Sequence, residues 1–272
     1  DSWLPQSQNT IRLFGTSVGA WKLAAAAQDK PGVALTTLAN AYINQYYEYN
    51  IKPNDVLNET NKIIDTFLPP NKVNEILQSS RYRYSCGTVR SKGLLANEDR
   101  FRLALAMVKG LSLSALKKPM LSMMDRVIFS DQRDSMALSD IESQHYNGQL
   151  SREIALTPDN FVNALRASGS IPVIMDGVDN IAGAPEGIYR DGGLLDYHPI
   201  PNRIFESPGL TLYPHFYSHL TPNWFDKFYR GREAKARDLS DVVMLSPSPE
   251  FVAKLPDGRL PDRKDFKIYL GK

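Results

Sequence analysis

Ser17 stands in Gly15-Thr16-Ser17-Val18-Gly19, the pattern G-x-S-x-G. Small residues on either side let a backbone turn sharply and expose a serine oxygen at the start of a helix. The next backbone N–H, that of Val18, then helps to hold an oxyanion, with Gly15 and Gly19 giving the turn its room. A bare five-residue match also fits a glycine-rich turn with no chemistry, so its surroundings decide. A phosphate-binding loop needs G-x-x-x-x-G-K-S/T, whereas Lys22 lies seven residues after Gly15 and follows Ala20 and Trp21. The dinucleotide fingerprint G-x-G-x-x-G fails as well, because Gly15 and Gly19 are four apart with Ser17 between them. Nucleophilic serine chemistry fits this segment best.

A second motif, Asp191-Gly192-Gly193, follows a short apolar stretch ending at Arg190. Its two glycines allow another chain segment to approach the aspartate closely. In isolation it reads as a turn, since Asp-Gly and Gly-Gly pairs are common turn formers. Between the two motifs lies Ala167-Ser168-Gly169-Ser170-Ile171-Pro172, and Pro199 follows the second.

In order and content these segments resemble the patatin-like phospholipases. That family pairs a G-x-S-x-G serine opening a helix with the aspartate of a D-G-G/A motif, and an A-S-x-x-x-P stretch ends the helix ahead of it. Ser17, Asp191 and Pro172 match those positions. The resemblance implies a three-layer α/β/α fold with a central mixed sheet, spanning residues 1–272 as one domain. It also implies a Ser/Asp dyad, in which Asp191 takes the Ser17 proton and the serine oxygen attacks an ester carbonyl to give an acyl-enzyme that water hydrolyses. An aspartate of ordinary pKa, about 4, is a weak base at neutral pH, so burial and a preorganised oxyanion hole would carry much of the rate. Gly192 and Gly193 join Gly15, Val18 and Gly19 as candidate oxyanion support. The implied substrates are phospholipids or lysophospholipids, reached through peripheral membrane contact, with neither metal nor organic cofactor. Relatives place a glycine-rich strand-to-helix loop before the serine motif. The fourteen residues preceding Gly15 contain no glycine, so the domain is expected to lack its N-terminal glycine-rich strand-loop segment. A lesser departure is Leu195-Asp196-Tyr197-His198, where many relatives have an asparagine shortly before the proline.

Three other readings compete. The order Ser17, Asp191, then His198, His215 or His219 fits an α/β-hydrolase triad, although that fold builds several strands before its nucleophile. A catalytically impaired binding or scaffold protein on a hydrolase fold would account for the missing glycine-rich segment, but Ser17 and Asp191 are both present. His215 and His219, four apart, could ligate a metal from one helix face, but Pro214 argues against a continuous helix and no third ligand is evident. His145 sits in a polar, surface-like stretch. Tyr213, Phe216, Tyr217, Trp224, Phe225, Phe228 and Tyr229 crowd together with Lys227, Arg230 and Arg232, a composition suited to core packing or to a lipid interface, with packing favoured. The sequon Asn58-Glu59-Thr60 falls in a polar helical stretch and reads as chance.

The elements that must position Ser17 and Asp191 interleave as in an α/β protein. Asn9 to Phe14 reads as a strand and Val18 to Gln28, rich in Ala and Leu, as the helix that Ser17 opens. Helical spacing recurs over 33–49, 55–68, 71–79 and 100–116. Tyr82, Tyr84 and Cys86 alternate with polar residues, as in a strand with one buried face. Strands are expected at 126–130, 153–156 and 188–190, and the apolar run within 241–246 reads as a buried strand. Thr157 and Pro158 are expected to cap and open a helix over 161–167.

Composition removes whole classes of function. The formal charge of +2 comes from 32 basic and 30 acidic residues, so phosphate attraction has no global source and nucleic acid is not an expected partner. With Cys86 alone, neither an internal disulfide nor a multi-thiolate zinc site can form. No run approaches the roughly 18 apolar residues of a membrane span, and residues 1–10 lack secretory-signal features. A soluble globular chain is expected, with its compartment, cytoplasmic or exported, left open.

Overall fold

The computed structural model describes residues 9–45, 53–133, 151–201, 204–205, 209–262 and 265. It is a mixed α/β structure in which β1 (Ile11–Thr16), α1 (Val18–Ala26), α2 (Pro31–Ile43), α3 (Pro53–Phe67) and α4 (Pro70–Gln78) lead into the long strand β2 (Tyr82–Ser91). There follow α5 (Arg100–Ala115), β3 (Met124–Ser130), β4 (Ser151–Ala155), α6 (Phe161–Ser168), β5 (Val178–Asp179) and β6 (Ile188–Asp191). The chain then forms β7 (Thr211–Pro214), β8 (Val242–Leu245) and the short α7 (Pro249–Val252).

Local chemistry accounts for most boundaries. Pro31 and Pro70 open α2 and α4 at the position where the missing N–H costs nothing. The Asp99 carboxylate accepts from the backbone N–H of Arg102 at 2.9 Å and so caps α5. In α3 the apolar residues Ile63, Ile64 and Phe67 recur at helical spacing and are buried.

Several expectations need correction. The helix expected over 33–49 is α2, which ends at Ile43; residues 46–49, like His145, lie outside the described residues. β2 is buried on both faces from Tyr84 to Val89, because helices cover both sides of the sheet, so its alternating pattern understated its burial. Thr157 and Pro158 do not start α6. The Asn160 side chain accepts from the Thr157 N–H at 2.9 Å and closes a turn, and the helix begins only after Asn160. The 242–245 run is not a buried strand. It pairs only with β7 in a two-stranded ribbon, with Val243 45% and Leu245 54% exposed.

The central sheet runs β4-β3-β2-β6-β5, with β1 also on β2. β1 pairs parallel with the first half of β2, from Ile11 opposite Tyr82 to Thr16 opposite Gly87. β6 pairs antiparallel with the second half, placing Asp191 opposite Thr88. Since β3 occupies the other edge of β2, β1 and β6 share one edge and run toward each other. Their C-terminal ends meet across the single step from Gly87 to Thr88. One core joins Tyr84, Cys86, Val127 and Phe129 to the helices α1, α2, α3, α4 and α6. The second packs Val89 and Met124 against α5. Cys86 belongs to the first, and burial pushes its thiol up to about 12.

Buried charge fixes the chain beyond β6. Arg126 on β3 meets Asp196 in a two-pronged pair at 2.7 and 2.9 Å, and the Asp196 carbonyl accepts from the Thr16 hydroxyl at 2.7 Å. Asp196→Ala strands a buried guanidinium, so urea unfolding should show a loss of about 3–5 kcal/mol.

Candidate active site

Ser17 is the residue between β1 and α1. Its backbone sits at φ 54°, ψ −139°, a region that non-glycine residues avoid at a cost of about 1–3 kcal/mol. The conformation persists because both neighbours are fixed: Thr16 is the last residue paired to β2, and Val18 is the first of α1. Gly15 is required here, since a Cβ on it would stand 2.8 Å from the Ala20 nitrogen. Gly19 is different: an added Cβ meets nothing within 4 Å, so the second glycine leaves open space over the first turn of the helix.

The Ser17 hydroxyl donates to Asp191 Oδ2 at 2.8 Å. Asp191 is 6% exposed, and its other oxygen, Oδ1, accepts from the Gly193 N–H at 2.7 Å. The Asp191 N–H donates to the Ser170 carbonyl at 3.0 Å. Directly before it, Arg190 is fully buried, donating to the carbonyls of Leu95, Met175 and Asn97 and pairing with Glu98 at 2.7 Å. The base is thus held from both sides.

Residues that the two motifs did not single out complete the turn. The Ser17 N–H donates to the Ser168 hydroxyl at 2.9 Å, which donates to the Gly87 carbonyl at 2.7 Å. Gly87 is a glycine by necessity, since a Cβ there would lie 2.9 Å from Thr16 Cγ2. A glycine inside a strand marks close backbone approach, and that was its available signal. Gly192 packs over the same carbonyl, where an added Cβ would come within 2.1 Å of the Gly87 oxygen. Gly192 and Gly193 therefore hold the Asp191 side chain and its turn in place. The N–H groups of Val18 and Gly19 belong to the first turn of α1, where backbone donors have no carbonyl one turn back. They lie at the positive end of the helix dipole.

The histidines lie apart from this pair. His198 Nδ1 accepts from the Thr221 N–H at 2.7 Å, which puts the ring proton on Nε2, a buried atom with no hydrogen-bond partner. His215 uses Nδ1 on the Tyr217 backbone, and its Nε2 is likewise unpartnered. The two rings pack at 4.2 Å between centroids. Neither ring bonds Ser17 or Asp191. His215 follows β7 and His219 lies in the loop beyond, so a shared helix face is not formed, and the described residues contain no group of three metal-ligating side chains. In the aromatic segment Phe225 is buried and Trp224 packs on the second core, whereas Phe216, Tyr217 and Phe228 are exposed.

Burial, reinforced by His215 and His219, lowers the His198 pKa from its ordinary 6.5 to about 3. Between those values the unfolded chain binds the extra proton, so the stability that neutral His198 contributes is complete above pH 6.5 and declines as pH falls toward 3. Replacing His198 by Gln should flatten the dependence of urea-unfolding free energy on pH in that window by up to about 1.4 kcal/mol per pH unit. Gly192→Ala should destabilise by about 1–3 kcal/mol through overpacking, whereas Gly19→Ala should stabilise by about 0.5–1 kcal/mol in a helix with room for the methyl group. Comparison of the chain with protein-family models, with curated proteins and with solved structures finds no match.

Proposed function

We propose that this chain is a serine acyl-ester hydrolase in which Ser17 is the nucleophile and Asp191 the base. The observation that carries the reading is the 2.8 Å hydrogen bond from Ser17 Oγ to Asp191 Oδ2, made from a left-handed turn at a helix start. Few structural roles call for a strained serine aimed at a buried carboxylate, whereas nucleophilic catalysis calls for both.

Asp191 Oδ2 takes the hydroxyl proton as Ser17 Oγ bonds to the ester carbonyl carbon. The carbonyl oxygen becomes an oxyanion facing the Val18 and Gly19 N–H groups. Collapse of this intermediate breaks the bond to the alcohol oxygen, which leaves with the proton from Asp191, and the acyl group stays on Ser17. Water then gives its proton to Asp191 and its oxygen to the carbonyl carbon, and a second collapse releases the acid and returns the proton to Ser17. The Gly193 N–H keeps Oδ1 occupied, so Oδ2 is presented to the serine throughout. This sequence needs neither a metal nor an organic cofactor.

The substrate class, acyl esters of phospholipids or lysophospholipids, is proposed from the resemblance of the G-x-S-x-G, A-S-x-x-x-P and D-G-G segments to the patatin-like family. A triad is less well supported, because the ring nitrogens of His198 and His215 are bonded elsewhere or unpartnered. An impaired scaffold would have no reason to retain the strained serine and its buried partner.

Fluorophosphonate labelling with peptide mapping tests the reading. Ser17 should be the labelled residue, and Ser17→Ala and Asp191→Asn should each abolish labelling and reduce ester hydrolysis by at least about 1000-fold. His198→Gln, His215→Gln and His219→Gln should keep labelling within about tenfold of the unaltered chain. A folded chain that does not label would end the hydrolase proposal, and one histidine variant as inactive as Ser17→Ala would replace the dyad by a triad.

A further inference from the structure

α5 has two apolar faces. Leu103, Ala106, Gly110 and Ser114 are buried against the second core. On the opposite side Phe101 (71% exposed), Leu105 (42%), Val108 (59%) and Leu116 (65%) form a stripe at spacings of four, three and eight residues. At 100° per residue these positions, with the exposed Ala104, Ser112 and Ala115, span an arc of about 120° that contains no charged side chain. A helix on the surface of a globular protein ordinarily turns charge outward over that arc.

Along the helix itself the charges are all of one sign, and the carboxylates that touch it, Asp99 and Asp226, accept from the Arg102 N–H and the Ser114 hydroxyl. Arg100, Arg102, Lys109, Lys117 and Lys118 lie on or just beyond the helix, and residues 100–124 contain no Asp or Glu. An apolar stripe on a helix whose own charges are all cations matches an anionic bilayer, whose acyl layer takes the stripe and whose headgroups take the charges. No helix among the described residues is long and apolar enough to cross a membrane, so α5 would lie in the interface plane.

We propose that the outward face of α5 docks this protein onto anionic lipid surfaces. The buried face of the helix shares its core with Leu194 and Leu195, which follow directly on the Asp191-Gly192-Gly193 turn. Docking through α5 thus ties the segment carrying Asp191 to the bilayer. The docking itself does not depend on the serine chemistry.

The test is co-sedimentation of the Ser17→Ala chain, which leaves lipid intact, with vesicles of phosphatidylcholine alone or mixed with phosphatidylglycerol. Binding should require phosphatidylglycerol and weaken with salt. Lys109→Gln/Lys117→Gln/Lys118→Gln should weaken it about 100-fold, at about fivefold per cation, and Phe101→Ser/Val108→Ser by at least about tenfold. Phe251→Ser, at an exposed aromatic on α7 (55%), should leave it unchanged. Absence of binding, equal binding to both vesicles, or indifference to both α5 variants overturns the proposal. So does a concentration-dependent dimer that Phe101→Ser/Val108→Ser dissolves, because a second copy would then cover the face. Carried on the intact Ser17 background, the α5 variants should still label with fluorophosphonate. Vesicle binding by a chain that never labels supports docking and refutes the hydrolase instead.

Discussion

Everything at the candidate site depends on two strands meeting end to end along one edge of β2. Thr16 and Asp191 pair with adjacent residues, Gly87 and Thr88, so the ladder that holds β1 and β6 in the sheet also sets the Ser17–Asp191 separation. Backbone hydrogen bonds, more than loop conformation, bring the two side chains together. The lack of a side chain at Gly87 and Gly192 is part of the same constraint, because the strand ends and the turn after β6 crowd onto one carbonyl.

Around this junction the buried polar groups form a frame with few loose ends. Ser168 links the Ser17 backbone to Gly87, Arg190 binds three carbonyls behind the base, and Arg126 with Asp196 fastens the following turn to Thr16. Such a frame keeps a non-glycine residue at positive φ, because relaxing Ser17 would require breaking several of these bonds together. The Nε2 atoms of His198 and His215, buried without a partner among the described residues, lie outside the frame.

The central helices and strands were legible because their periodicity is strong, and the Ser17–Asp191 contact was legible because each residue lies in a short motif with a local physical meaning. Less legible was whatever depends on distant chain segments. Gly87 signals a close backbone approach, but what approaches it shows only once β1 and β6 are placed beside it. The Val242–Leu245 run has the composition of a buried strand but pairs with a single partner and keeps one side in solvent. Asn160, through one side-chain bond, moved a helix start by three residues from the Thr157-Pro158 signal. That the Gly193 N–H bonds Asp191 Oδ1 was likewise not legible, since sequence cannot tell which group a neighbouring N–H faces.

The end-to-end arrangement also bears on how the chain acquires its chemistry. Ser17 and Asp191 are 174 residues apart, and their contact requires both halves of β2 to be paired. Closing such a loop is slow compared with forming a helix. A nascent or partly folded chain can therefore carry a complete G-x-S-x-G turn with no base beside it. The Ser17–Asp191 contact, and with it the proposed hydrolytic competence, would be a late event in folding, reporting on the completed sheet and withheld from intermediates.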